Sequence, residues 1–241
     1  MSSEPLLTIR NLDKAFHLHE QRVRRPVLGG VSLELRPGEC VAIEGRSGAG
    51  KSSLLRAVYG NYVTTGGEVL VRTPDGMVDV ASADPWTLLQ LRRTTMGYVS
   101  QFLRVLPRVS ALEIVAEPLV LQGVAEDDAR RRARAMLAKV NLPEALWGLS
   151  PLTFSGGEQQ RVNIARGFIR TYPILLVDEP TASLDAGNRQ TVIGIIREAL
   201  ANGAAILGIF HDEIARQALA SRSFNLEAFA TRQPTDAIAM G

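Results

Sequence analysis

Residues Gly45 to Ser53 read GRSGAGKSS, a match to the pattern G-x-x-x-x-G-K-[ST]. A short apolar run, ECVAIEG, leads into it, and a stretch with helical spacing at Leu54, Leu55 and Val58 follows. A strand before and a helix after make this loop a phosphate cradle. Glycine lets the backbone bend, so the amides of Gly45, Arg46, Ser47, Gly48, Ala49 and Gly50 are expected to face inward, with Ser53 closing the loop. Those donors and the positive end of the helix suit phosphate oxygens. Lys51 is placed to reach the β- and γ-phosphates, and Ser52 to ligate Mg2+.

A phosphate loop needs a carboxylate for its metal. PILLVDEP supplies Asp178 at the end of a nearly all-apolar run, the kind of strand buried on both faces of a parallel sheet. Asp178 is expected to hold Mg2+ through water, and Glu179 to accept a proton from an attacking water. Gln101 ends the strand-like GYVSQ, in reach of Mg2+ or that water. His211 ends AAILGIFH, on the same sheet edge as Asp178, in reach of the γ-phosphate. Phe16, in an early strand, reads either as a platform for a purine or as a core residue.

The elements that must position these residues follow an α/β pattern. LLTIR, VLGGVSLEL and ECVAIEG read as strands, and GEVLVR and MVDV flank a Pro-Asp-Gly turn as a hairpin. From about residue 102 to 154 the chain turns helical, in SALEIVAEPLVLQG and AEDDARRRARAMLAKVNL. The second of these begins with three acids and continues with four arginines, which suits the helix dipole and a solvated face. After Phe154 strands and helices alternate again, and the last dozen residues read as a frayed tail.

The chain has 241 residues and a formal charge of only +2, which does not suggest a nucleic-acid partner. Cys40 is the single cysteine, so no internal disulfide forms, and a cytoplasmic location is expected. The N-terminus does not read as a secretory signal, and no apolar run is long enough for direct membrane insertion. His17 and His19 share one strand face without a visible third ligand. Arg22, Arg24 and Arg25 read as an exposed hairpin or as a partner or nucleotide contact, and Trp86 and Trp147 as packing residues.

GRSGAGKS, Gln101, SGGEQ, LLVDE, Ser183-Leu184-Asp185 and His211 stand in the order and spacing of ABC-type ATPase domains, and this resemblance spans nearly the whole chain. It implies a single domain of residues 1–241. Residues 1–101 and 155–241 would form an α/β nucleotide-binding core with an antiparallel β subdomain, and residues from about 102 to 154 an inserted helical subdomain. It also implies ATP and Mg2+ as cofactors and head-to-tail pairing, with a second copy or with a related ABC ATPase. Ser155, Gly156, Gly157 and Glu158 would then meet the γ-phosphate bound by the other chain, with Asp185 at the same seam. Glu158 stands where glutamine is usual.

The segments NYVTTGGEVLVR, SADPWTLLQLRR and FLRVLPRVSALEIVAEPLV resemble the L subunit of bacterial phosphonate carbon–phosphorus lyase systems. That resemblance implies soluble lyase core subunits as partners and a role in forming ribose 1-methylphosphonate 5-triphosphate from ATP and methylphosphonate. Its competitor is the ATPase motor of a membrane transporter of the lipoprotein-releasing or macrolide-exporting kind.

Overall fold

The apolar patterns of the chain build two sheets. The computed structural model describes residues 4–18, 23–104 and 107–229. Strands β1 (Leu7–Leu18), β2 (Val23–Leu35), β4 (Gly66–Thr73) and β5 (Gly76–Asp79) form a four-stranded antiparallel sheet in the order β2-β1-β4-β5. The expected hairpin is present, with Thr73 paired to Gly76 across the turn. His19, Arg22 and the tail from residue 230 lie outside the described residues, as do the side chains of His17 and Arg24.

Strands β3 (Cys40–Glu44), β6 (Met96–Val99), β7 (Ile174–Asp178), β8 (Ala205–Ile209) and β9 (Arg222–Asn225) form a parallel sheet in the order β6-β7-β8-β3-β9. Every residue of β7 and β8 is buried. Side chains alternate across a strand, so Ile174 and Leu176 join the core on one face with β1, β2, β4 and the helix after β3. Leu175 and Val177 join the core on the other. Full burial of such a side chain contributes about 1.5–3 kcal/mol, so covering both faces is what makes an all-apolar strand stable.

The helices are α1 (Lys51–Val58), α2 (Pro85–Thr94), α3 (Ala111–Val120), α4 (Glu126–Lys139), α5 (Gly156–Phe168), α6 (Ala186–Ala201) and α7 (Glu213–Leu219). The sequence reading omitted α2, although Asp84 caps it through the amides of Trp86 and Thr87 and Pro85 stands at its first turn. In α4 Glu126, Asp127 and Asp128 occupy the first turn, and Arg131, Arg132 and Arg134 are exposed. Trp147 is tied down, its indole N–H donating to Leu142 O at 3.0 Å. Trp86 corrects the packing expectation, for it is 65% exposed on the outer face of α2.

Parallel strands end together. The loop after β3, Asp178 at the end of β7, His211 just beyond β8 and Gln101 just beyond β6 therefore gather at one edge of the sheet.

Candidate nucleotide site

Gly50 caps α1 at φ +93°, a left-handed conformation. A Cβ there would lie 2.8 Å from Val27 Cγ1, so β2 packs against the loop only because residue 50 is glycine. No side chain caps α1 and no acid stands in its first turn, which leaves the helix start electropositive. Lys51 Nζ donates to Gly45 O at 2.6 Å and to Arg46 O at 3.0 Å. A cavity of about 500 Å³ opens over this loop. Ser47, Gly48, Gly50, Lys51, Ser52 and Ser53 form its floor, and Phe16, Arg25 and Val27 one wall. Gly45, Arg46 and Ala49 shape the loop without lining the cavity: Ala49 N donates to Arg46 O at 3.1 Å, and Arg46 N donates to Glu227 Oε1 at 2.9 Å.

Phe16 stands edge-on to Tyr62, with ring centroids 5.3 Å apart, and Lys14 Nζ sits 4.5 Å from its centroid. Lys14 is buried and donates to Val63 O at 2.8 Å. Phe16 is thus held from behind and turned to the cavity. Arg25, which pairs with Phe16 across β1 and β2, also reaches the cavity.

The opposite wall is Gln101, Glu179 and His211. Glu179 Oε2 accepts from Gln101 Nε2 at 3.0 Å, and Glu179 Oε1 lies 2.9 Å from His211 Nε2. The carboxylate of one strand end thus joins the ends of both neighbouring strands. Glu179 has φ +52°, a conformation that costs a non-glycine residue about 1–3 kcal/mol. Three hydrogen bonds hold the turn: Glu179 N donates to Ile209 O at 3.0 Å, and Gln160 Nε2 donates to Glu179 O at 3.4 Å and Pro180 O at 3.1 Å.

Asp178 is almost wholly buried. Its Oδ1 accepts from Ser52 Oγ at 3.3 Å and its Oδ2 from Tyr98 Oη at 3.4 Å. Burial pushes its carboxyl above the usual range, and the Ser52 hydrogen bond opposes that. A serine hydroxyl and one carboxylate beside a phosphate loop are hard oxygen donors that fit Mg2+, which takes few protein ligands and keeps several waters. No group of three or more His, Cys, Asp or Glu side chains suited to a metal occurs among the described residues.

Ser155, Gly156, Gly157, Glu158 and Asp185 do not line this cavity. Ser155 caps α5 in a reciprocal box: Glu158 N donates to Ser155 Oγ at 3.4 Å, while Ser155 N and Oγ donate to Glu158 Oε2 at 2.8 and 2.7 Å. The Ser155 hydroxyl, first among causes, holds the Glu158 carboxyl below its usual range. Gly157 packs tightly, since a Cβ there would lie 2.9 Å from Ser183 O. Asp185 caps α6, accepting from Asn188 N at 2.8 Å.

Three residues at the site escaped the sequence reading. Gln160 and Asn163 are buried polar side chains on α5, and Asn163 donates to Ser100 O beside Gln101. Tyr98 is the third. Their partners lie between 19 and 80 positions away, and the one local signal was two amides, Gln160 and Asn163, amid the apolar spacing of α5.

The family model described as ABC transporter matches residues 28–182. The lipoprotein-releasing system ATP-binding protein LolD of Pseudomonas syringae pv. tomato is 38% identical over 219 residues, covering 90% of this chain and 93% of that protein. The macrolide export ATP-binding/permease protein MacB of Hyphomonas neptunium is 36% identical over 209 residues, covering 87% of this chain. The chain spans only about a third (31%) of the length of that relative. Among solved structures, the dimeric post-hydrolysis state of the ATP-binding cassette MJ0796 bound to ADP and Pi superposes with a TM-score of 0.84 at 28% identity, covering 94% of this chain and 97% of that one. A fold of two such sheets, a glycine loop facing a strand-end carboxylate and these relatives together place the chain in the ABC transporter family, as one of its ATPase domains.

Proposed function

We propose that the chain binds ATP with Mg2+ in the cavity beside Phe16 and hydrolyses it in head-to-tail pairs, driving a membrane permease. The observation that carries the hydrolytic reading is Glu179, whose carboxylate shares one cavity with the phosphate loop and joins Gln101 to His211. Phe16 stacks on the purine. Lys51 and the loop amides other than those of Arg46 and Ala49, which are already bonded within the chain, hold the phosphates. Ser52 and Asp178, with Gln101 beside them, would hold Mg2+, which would supply positive charge to the phosphate oxygens. Glu179 takes a proton from water. The water oxygen bonds to the γ-phosphorus, and the bond to the β-phosphate oxygen breaks, giving ADP and phosphate. His211 and Lys51 face the charge that gathers on the transferred group.

Pairing is supported by the position of Ser155, Gly157 and Asp185 outside their own chain's cavity, and by solved relatives that are dimers. In the pair, the Ser155 hydroxyl and the Gly157 amide meet the γ-phosphate held by the other chain. Closure then follows from contacts that ATP makes and ADP lacks.

Glu179→Gln tests the base. Turnover is expected to fall about 100- to 10,000-fold, with ATP binding retained and dimer accumulating in sizing experiments. Wild-type turnover in that variant would overturn the assignment.

The relatives, named for lipoprotein release and macrolide export, favour a permease as partner over the soluble lyase subunits expected from the sequence. A groove fit for a partner lies between α2, α3 and α5, where Leu89 and Leu121 are exposed beside Arg92, Arg93 and Arg166. The lyase reading keeps one support, the resemblance carried by NYVTTGGEVLVR, SADPWTLLQLRR and the segment after Gln101. Affinity capture of the tagged chain from its own cells decides between them: permease subunits uphold the first reading, and carbon–phosphorus lyase subunits reverse the order.

A further inference from the structure

Asp178 has two side-chain partners, one on each carboxylate oxygen. Ser52 comes from α1 and is itself placed to touch the metal. Tyr98 comes from β6, whose backbone is paired to β7 through Tyr98 and Leu176. It is the partner fixed to the sheet.

We infer that Tyr98, steadied by Arg56, is a positioning residue that aims the Asp178 carboxylate at the bound metal. The inference rests on the reading of Asp178 as the metal carboxylate. Tyr98 Oη donates to Asp178 Oδ2 at 3.4 Å, and its ring lies 5.2 Å from that of Tyr59. Arg56 sits one helical turn beyond Ser52 on α1. Its guanidinium donates to Tyr62 Oη at 2.8 Å, and Arg56 lines one cavity with Tyr98. Behind this group a second cavity of about 500 Å³ is lined by Arg56, Tyr62, Tyr98 and Gln101. Without the phenol oxygen, Asp178 Oδ2 would lose its side-chain donor. Residues that orient a metal-binding carboxylate in this way typically alter metal affinity about 10- to 100-fold when removed.

Mn2+ serves as the probe. Its affinity for the full chain is measured by the paramagnetic resonance of free Mn2+ at saturating ADP, and ADP affinity is measured separately in EDTA. Tyr98→Phe, which keeps the ring, is expected to weaken Mn2+ about tenfold and to leave ADP affinity in EDTA unchanged. Arg56→Gln is expected to shift Mn2+ in the same direction by a smaller factor, and it carries the test should Tyr98→Phe fail to fold. Asp178→Asn separates the two levels. If it loses Mn2+ while Tyr98→Phe and Arg56→Gln bind like wild type, the positioning role is overturned and the metal carboxylate stands. If Asp178→Asn also binds like wild type, the metal reading of Asp178 falls and the role of Tyr98 with it.

Discussion

Helices α1 and α5 both start from glycine-rich turns that the proposed reaction brings to phosphate, but their first turns are chemically opposite. Gly50 offers α1 no side-chain cap, and no acid follows, so its amides are open to an anion. Ser155 caps α5 with its hydroxyl, and Glu158 places a carboxylate on that same hydroxyl and on the Ser155 amide. On the proposed reading, the first is an anion site. The second already carries a negative charge where a phosphate would approach, so it would add little by itself and act only when another chain presents the phosphate. One cavity would thus bind nucleotide alone, while hydrolysis would wait for the pair.

The largest break in that contrast is Lys51→Ala, which removes the charged donor at the α1 end. ATP binding to the single chain is expected to weaken about 10- to 100-fold, the worth of a charge-assisted hydrogen bond, and turnover to vanish. Titration calorimetry reads the first and phosphate release the second. Ser155→Ala should leave single-chain ATP affinity as it is and lower turnover about tenfold or more at protein concentrations that permit pairing. A matching loss of single-chain affinity would erase the division of labour between the two helices. The smallest effect sharpens it. Glu158→Gln keeps an oxygen for the cap and removes the charge from the helix start. ATP-dependent dimerisation, followed by light scattering in Glu179→Gln chains, is expected to strengthen about two- to fivefold.

The phosphate loop and the strand-end acids were legible because their cause is local: glycines, an apolar run and a helix within twenty residues. The same holds for the hairpin at Thr73 and Gly76 and for the acid-first helix α4. Helix α2 was equally local, and its Asp84-Pro85 start went unread. Gln160, Asn163 and Tyr98 were of another kind. Glutamine and asparagine on a helix ordinarily face water, and nothing nearby in the chain tells that these two cross to the turns after β7 and β6. Tyr98 in an apolar strand reads as core until Asp178 is brought beside it by the pairing of β6 with β7. Phe16 illustrates the middle case, since its exposure to the cavity depends on Tyr62 and Lys14 filling the space behind it.

The carboxylate of Glu179 ends one strand and is gripped from both sides, one oxygen by the Gln101 amide and the other by the His211 ring. Each oxygen keeps a second acceptor site, so on the proposed reading the attacking water shares the carboxylate with both partners. Anything that pulls Gln101 or His211 aside would swing the base away from that water.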